Sequence, residues 1–145
     1  MKYLFYIFLF LIFLQNPVFA HTLKIDGTVG VTTHIDPNDE PQAGQESQIY
    51  VDIKDSSGDF DANNPGACTC TLTIEKNSQV IKETPVITGN AYNQIKFTFP
   101  DSGSYKLIVK GKPNGTGPAF RPFQVSYEYY VKAQLGLPSK SEVTN

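Results

Sequence analysis

The side chains able to grip a soft ion or exchange electrons are few: two cysteines and two histidines in 145 residues. The cysteines stand as Cys68-Thr69-Cys70. On a strand, side chains two apart project to one face with Cα atoms about 6.6–6.8 Å apart. That separation lies at the outer limit of disulfide geometry, so an internal bridge needs a bulge or a bend. Two thiols on one face can instead hold a soft ion such as Cu(I) or Zn(II). The third reading is packing beside Leu72 and Ile74, because free cysteine is among the most buried residue types.

His21 draws its chemistry from its position. Met1-Lys2 supplies a positive charge, Tyr3 to Leu14 is an unbroken apolar run, and Gln15-Asn16-Pro17 breaks it ahead of Val18-Phe19-Ala20. This is the order of a secretory signal peptide over residues 1–20, cleaved after Ala20. The run is shorter than the ~20 residues that span a bilayer, and no Cys follows the cleavage site to carry a lipid. The expectation is a secreted or periplasmic protein with no stable membrane insertion after cleavage. Such compartments favour oxidised cysteine. Cleavage makes His21 the first residue, where its α-amine and a ring nitrogen form a bidentate chelate for copper. The amine is available near neutral pH, its reference pKa being about 7.7–8.0.

His34 opens the dense segment His34-Ile35-Asp36-Pro37-Asn38-Asp39-Glu40-Pro41, which ends at Gly44. As structure it reads as an extended, proline-stiffened connection. As a site, His34 with Asp36 or Asp39 offers borderline and hard ligands. A straight strand from Thr22 to Thr33 would hold the two histidines about 43 Å apart. A tight turn at Asp26-Gly27 would bring His21 back toward His34. The candidate metal ligands are therefore His21, His34, Cys68 and Cys70. Asp55, Asp59 and Asp61 share a loop but lack the order of a calcium-binding EF-hand, and a polar turn accounts for them. Asn114-Gly115-Thr116 is a glycosylation sequon, meaningful in a eukaryotic host.

The elements that position these groups alternate with period two. Ile49, Val51 and Ile53 share one parity, as do Cys68 to Ile74, Tyr105 to Val109, and Phe123 to Val131. Leu23, Ile25, Val29 and Val31 mark a first strand, Gln79 to Ile87 a fourth and Ile95 to Phe99 a fifth. Pro85 places the fourth at a sheet edge. With 11 Gly and 10 Pro as punctuation and no helical period, seven strands predict an all-β, immunoglobulin-like antiparallel sandwich. It would occupy residues 21–131, with 132–145 as a flexible tail. Twelve basic against 14 acidic residues exclude the basic field that nucleic acid requires.

Asp101-Ser-Gly-Ser-Tyr105-Lys-Leu107 resembles the D-x-G-x-Y-x-C corner of immunoglobulin-like domains, with Leu107 in place of the Cys. A signal peptide, a mature His21 and a small sandwich together resemble the copper-active histidine-brace proteins, including the CopC-like carriers, whose second histidine would match His34. The segment from Pro37 to Gly44, with Phe99 to Val109, is similar to small exported YtkA-like and FixH-like domains. These resemblances imply an exported accessory domain linked to metal handling, with copper as the ion, and carry over no catalytic residues. No hydrolase or phosphate-loop motif is present. Brace-type copper oxygenases are larger, with long loops, so the expectation is no enzyme. The alternative function is a metal-free interaction or structural module with a partner protein.

Overall fold

The computed structural model describes residues 22–55, 68–86, 93–115 and 120–134. Over these the chain forms two four-stranded sheets with every strand pair antiparallel. One sheet runs β1 (Lys24–Asp26), β2 (Val29–Asp36), β3 (Glu46–Asp55) and β6 (Asn93–Thr98). The other runs β5 (Gln79–Val86), β4 (Cys68–Lys76), β7 (Gly103–Pro113) and β8 (Phe123–Val131). This is the expected all-β, immunoglobulin-like sandwich. The expected signal peptide over residues 1–20, His21, Asp59, Asp61 and Thr116 lie outside the described residues.

The period-two pattern builds the core directly. Val31, Ile35, Ile49, Leu72, Ile74, Leu107 and Val109 are fully buried between the sheets. β5 is an edge strand and carries Pro85, as the missing N–H demands. At the start of β7 the Tyr105 hydroxyl donates to the Asp101 carbonyl at 2.9 Å and receives the Asp101 N–H at 3.3 Å. The corner resemblance thus holds at the level of atoms. The Tyr105 ring is buried and packs edge-on against Phe99, centroids 4.9 Å apart.

Eight strands replace the expected seven because the first one folds back. Gly27 takes φ 64, the positive value that two-residue hairpins require, and Asp26 then pairs with Val29. The reversal also changes parity. Leu23 and Ile25, expected to share a face with Val29 and Val31, instead point outward, 56% and 67% exposed. Lys24 points inward, its ammonium 4.9 Å from the centroid of the Tyr127 ring, and Asp26 Oδ2 accepts the Gln124 N–H at 2.8 Å. β1 thereby clasps β8 of the opposite sheet.

The segment after β2 is a tight reversal and not the expected extended connection. Asp39 N–H donates to the Ile35 carbonyl at 2.7 Å, and Glu40 N–H to that of Pro37 at 3.0 Å. Pairing also runs one residue past β8. Lys132 N–H donates to the Pro41 carbonyl at 2.8 Å, and the Lys132 carbonyl accepts the Ala43 N–H at 2.9 Å.

Candidate functional site

On β2 the odd residues point into the sandwich and the even ones out, so His34 and Asp36 share the outer face. Antiparallel register sets Tyr50 of β3 opposite His34 and Gln48 opposite Asp36. The imidazole stacks on the Tyr50 ring, centroids 5.8 Å apart. Its Nε2 lies 2.7 Å from Asp36 Oδ1. The reversal after β2 returns Asp39 to the other side of the ring, placing its Oδ1 2.9 Å from Nδ1. The same oxygen accepts the Ile35 N–H at 2.7 Å. The Tyr50 hydroxyl shares its proton between Asp36 Oδ2 at 3.0 Å and Gln48 Oε1 at 2.8 Å.

A ring with a carboxylate at each nitrogen favours its doubly protonated form. Partial burial pulls the His34 pKa down, but the bonds to Asp39 and Asp36 outweigh it and the net shift is upward from 6.5. Asp36 is held below the usual carboxylate value by the Tyr50 hydroxyl first and by His34 second. Tyr50 is raised in turn, chiefly because its proton bonds that carboxylate. His34 and Asp39 side chains each keep 29% of their surface exposed, although the Nδ1 atom between them is buried.

Beside this cluster lies a cleft of about 390 Å³ between the start of the described chain, the 37–40 reversal and β8. Thr22, Thr33, Asp39, Glu40, Tyr129 and Lys132 are among its lining residues. An ion pair of 2.7 Å joins Glu40 to Lys132 across it. Tyr129 anchors its floor: the hydroxyl lies 2.8 Å from Thr33 Oγ1 and donates to the Thr33 carbonyl at 3.1 Å. Burial pushes the Tyr129 pKa up to about 12, so the phenol stays a neutral donor.

Cys68 and Cys70 are joined to each other as a disulfide, with Cα atoms 5.3 Å apart. The separation is shorter than a regular strand gives. Pairing with β7 nonetheless runs through Cys68 opposite Pro113 and Cys70 opposite Gly111 without a shift. Of the two expected devices, a bulge or a bend, the bulge is absent here and the contraction is local to the strand. In this state neither sulfur is the thiolate that a metal requires. A three-residue ring stabilises a fold by only about 1.6 kcal/mol in the loop-closure model, and this bridge ties no two elements together.

The three described candidate ligands, His34, Cys68 and Cys70, do not form one centre. Cys70 pairs with Gly111, which pairs with Phe123, whereas Thr33 beside His34 bonds Tyr129. Six residues of β8 separate those two levels, about 20 Å at the strand rise. His34 and the sulfur pair therefore sit at opposite ends of the sandwich. Sequence reasoning identified His34, Asp36 and Asp39 but missed Tyr50, Thr33, Tyr129 and Lys132. The alternation of β3 puts Tyr50 on the outer face, but its place opposite His34 follows from the register between the two strands.

No family model matches the sequence, and no curated protein matches it. Among solved structures, the chain resembles as-isolated FetP of uropathogenic E. coli strain F11, recombinantly expressed in the periplasm of E. coli. The TM-score is 0.50 at 16% identity, covering 78% of this chain and 94% of that one. A copper-bound variant of FetP superposes at TM-score 0.48 and 17% identity, covering 87% and 97%. The likeness to FetP is one of fold, and the similarity to YtkA-like and FixH-like domains gains no support from it.

Proposed function

We propose that this protein is an exported copper-binding accessory or carrier protein of the periplasm or cell exterior, and not an enzyme. The observation that carries the reading is the His34 imidazole between two carboxylates, one of which, Asp39, also lines the neighbouring cleft together with Thr22. With cleavage after Ala20, His21 would begin the mature chain next to Thr22 and would offer an amine and a second imidazole. Imidazole and amine nitrogens suit copper, and carboxylates complete or orient such a set. Among the described residues no group of three or more His, Cys, Asp or Glu is disposed to hold an ion, so the reading requires His21 as a further ligand. Copper would be held through imidazole nitrogen and would compete with the protons that Asp36 and Asp39 favour on the His34 ring. The shared sandwich with FetP fits this reading without carrying it.

The test is electron paramagnetic resonance of the mature protein at one equivalent of Cu(II), with His34→Gln alongside. One nitrogen-ligated copper per chain, with a nitrogen lost in the variant, supports the reading. A spectrum of free copper, or one unchanged by His34→Gln, contradicts it.

A metal-free module remains the second reading, and one observation favours it. The edge strand β5 exposes Val80 and Ile81, at 59% and 40%, a surface that a strand of a partner protein could cover. On that reading copper leaves the NMR resonances of His34 and Tyr50 unmoved.

A further inference from the structure

We propose that the Cys68–Cys70 pair is a redox-gated site for one soft monovalent cation, closed as the disulfide and opened by a dithiol reductant. Both cysteines lie on β4, two residues apart, so their bond joins no separate elements. The sheets are instead held by the buried inner faces of both sheets. Opening the bond therefore leaves the fold in place.

The two sulfurs differ in access. Cys70 is 3% exposed, whereas Cys68 is half-buried at the strand's first position. An incoming thiolate reaches the Cys68 sulfur, and Cys70 leaves as the thiolate and takes up a proton. The reductant's second thiol then attacks the mixed disulfide and releases Cys68. Two electrons and two protons pass from the dithiol to the pair, and the reductant closes to its own disulfide. A dithiol is the required class because a second thiol resolves the mixed disulfide without a further partner.

The reduced pair has what a soft d10 ion needs. Both side chains project to one face of β4, Cys70 in the core and Cys68 packed against it. The pocket around the inner sulfur is shaped to it: a Cβ at Gly111 would fall 2.6 Å from Cys70 Sγ. Phe123 lies on the same glycine, and Phe120 packs on Phe123 with centroids 5.9 Å apart. Such apolar walls disfavour a lone buried thiolate. A cation bridging both sulfurs offsets that cost, releasing two protons as it binds. Thiolate donors in an apolar pocket select Cu(I) over hard divalent ions. This site stands at the opposite end from the His34 cleft and does not depend on it.

The experiment reduces the mature protein with dithiothreitol under argon, counts thiols, and records its NMR spectrum and melting temperature. Cu(I) is then titrated in competition with a chromogenic chelator. The expected result is two thiols, a retained native spectrum and a fall in Tm of about 6 °C. The reduced chain should bind one Cu(I) more than the oxidised one, and Cys68→Ser and Cys70→Ala should each weaken that added site at least tenfold. The same titration of the oxidised chain reports any uptake at the His34 cluster, and the difference between the two chains separates this site from it. Unfolding as the thiols appear, a folded dithiol that ignores Cu(I), or equal uptake by the oxidised chain would each overturn the proposal.

Discussion

Replacing Gly111 by alanine should be the most damaging single methyl addition at the sulfur end of the sandwich. The added Cβ would lie 2.6 Å from Cys70 Sγ and 2.6 and 2.7 Å from Cε1 and Cζ of Phe123. Ordinary carbon contacts sit at about 3.5–4.0 Å, so sulfur and ring must each retreat by about 1 Å. Neither has room, since Cys70 and Phe123 are both 3% exposed and Cys70 is tethered to Cys68. Overpacking of this kind costs about 1–3 kcal/mol. For a domain of this size that is a fall in Tm of about 4–12 °C. Urea unfolding of the oxidised protein measures it, and Gly111→Ala with Phe123→Leu completes a double-mutant cycle. The smaller side chain should recover part of the loss, a coupling of at least about 0.5 kcal/mol. A single variant within about 0.5 kcal/mol of the parent, at unchanged m-value, refutes the reasoning.

Other outcomes follow from the same contacts. Tyr105→Phe removes a buried hydroxyl that both donates to and accepts from Asp101, and denaturant unfolding should show a loss of about 1–3 kcal/mol. Glu40→Gln breaks an ion pair whose side chains are 59% and 51% exposed, so the same assay should show less than about 1 kcal/mol. The His34 ring, followed by NMR, should titrate above 6.5, and Asp39→Asn should lower its midpoint. A raised folded pKa stabilises fully below the unfolded value and fades as pH climbs through the folded one. The stability gap between the parent and His34→Gln should therefore be larger at pH 5.5 than at pH 8.5. The opposite trend would mean that the carboxylates do not hold the ring protonated.

Alternation alone made most of the sandwich legible. Ile49, Val51, Ile53, Leu72, Leu107 and Val109 all point where period two sends them, because a half-buried strand admits one apolar face. Alternation failed at Leu23 and Ile25, where a two-residue turn at Gly27 reverses the chain and shifts parity by one. The site was legible in part. His34, Asp36 and Asp39 stand close in sequence, so their grouping needs only a short reversal. Tyr50 and Tyr129 join them through cross-strand register and sheet-to-sheet contact, which one strand's pattern does not encode. The sulfur pair was misplaced for a similar reason, since spacing along β4 says nothing of which end of the sandwich it meets.

Native mass spectrometry of the protein purified from cells, loaded with one equivalent of Cu(II), tests the copper reading most directly. The account predicts a chain starting at His21 that holds one copper, and loss of that copper in His34→Gln with both sulfurs still oxidised. A chain that begins elsewhere, or that keeps its copper when His34 is replaced, would contradict it.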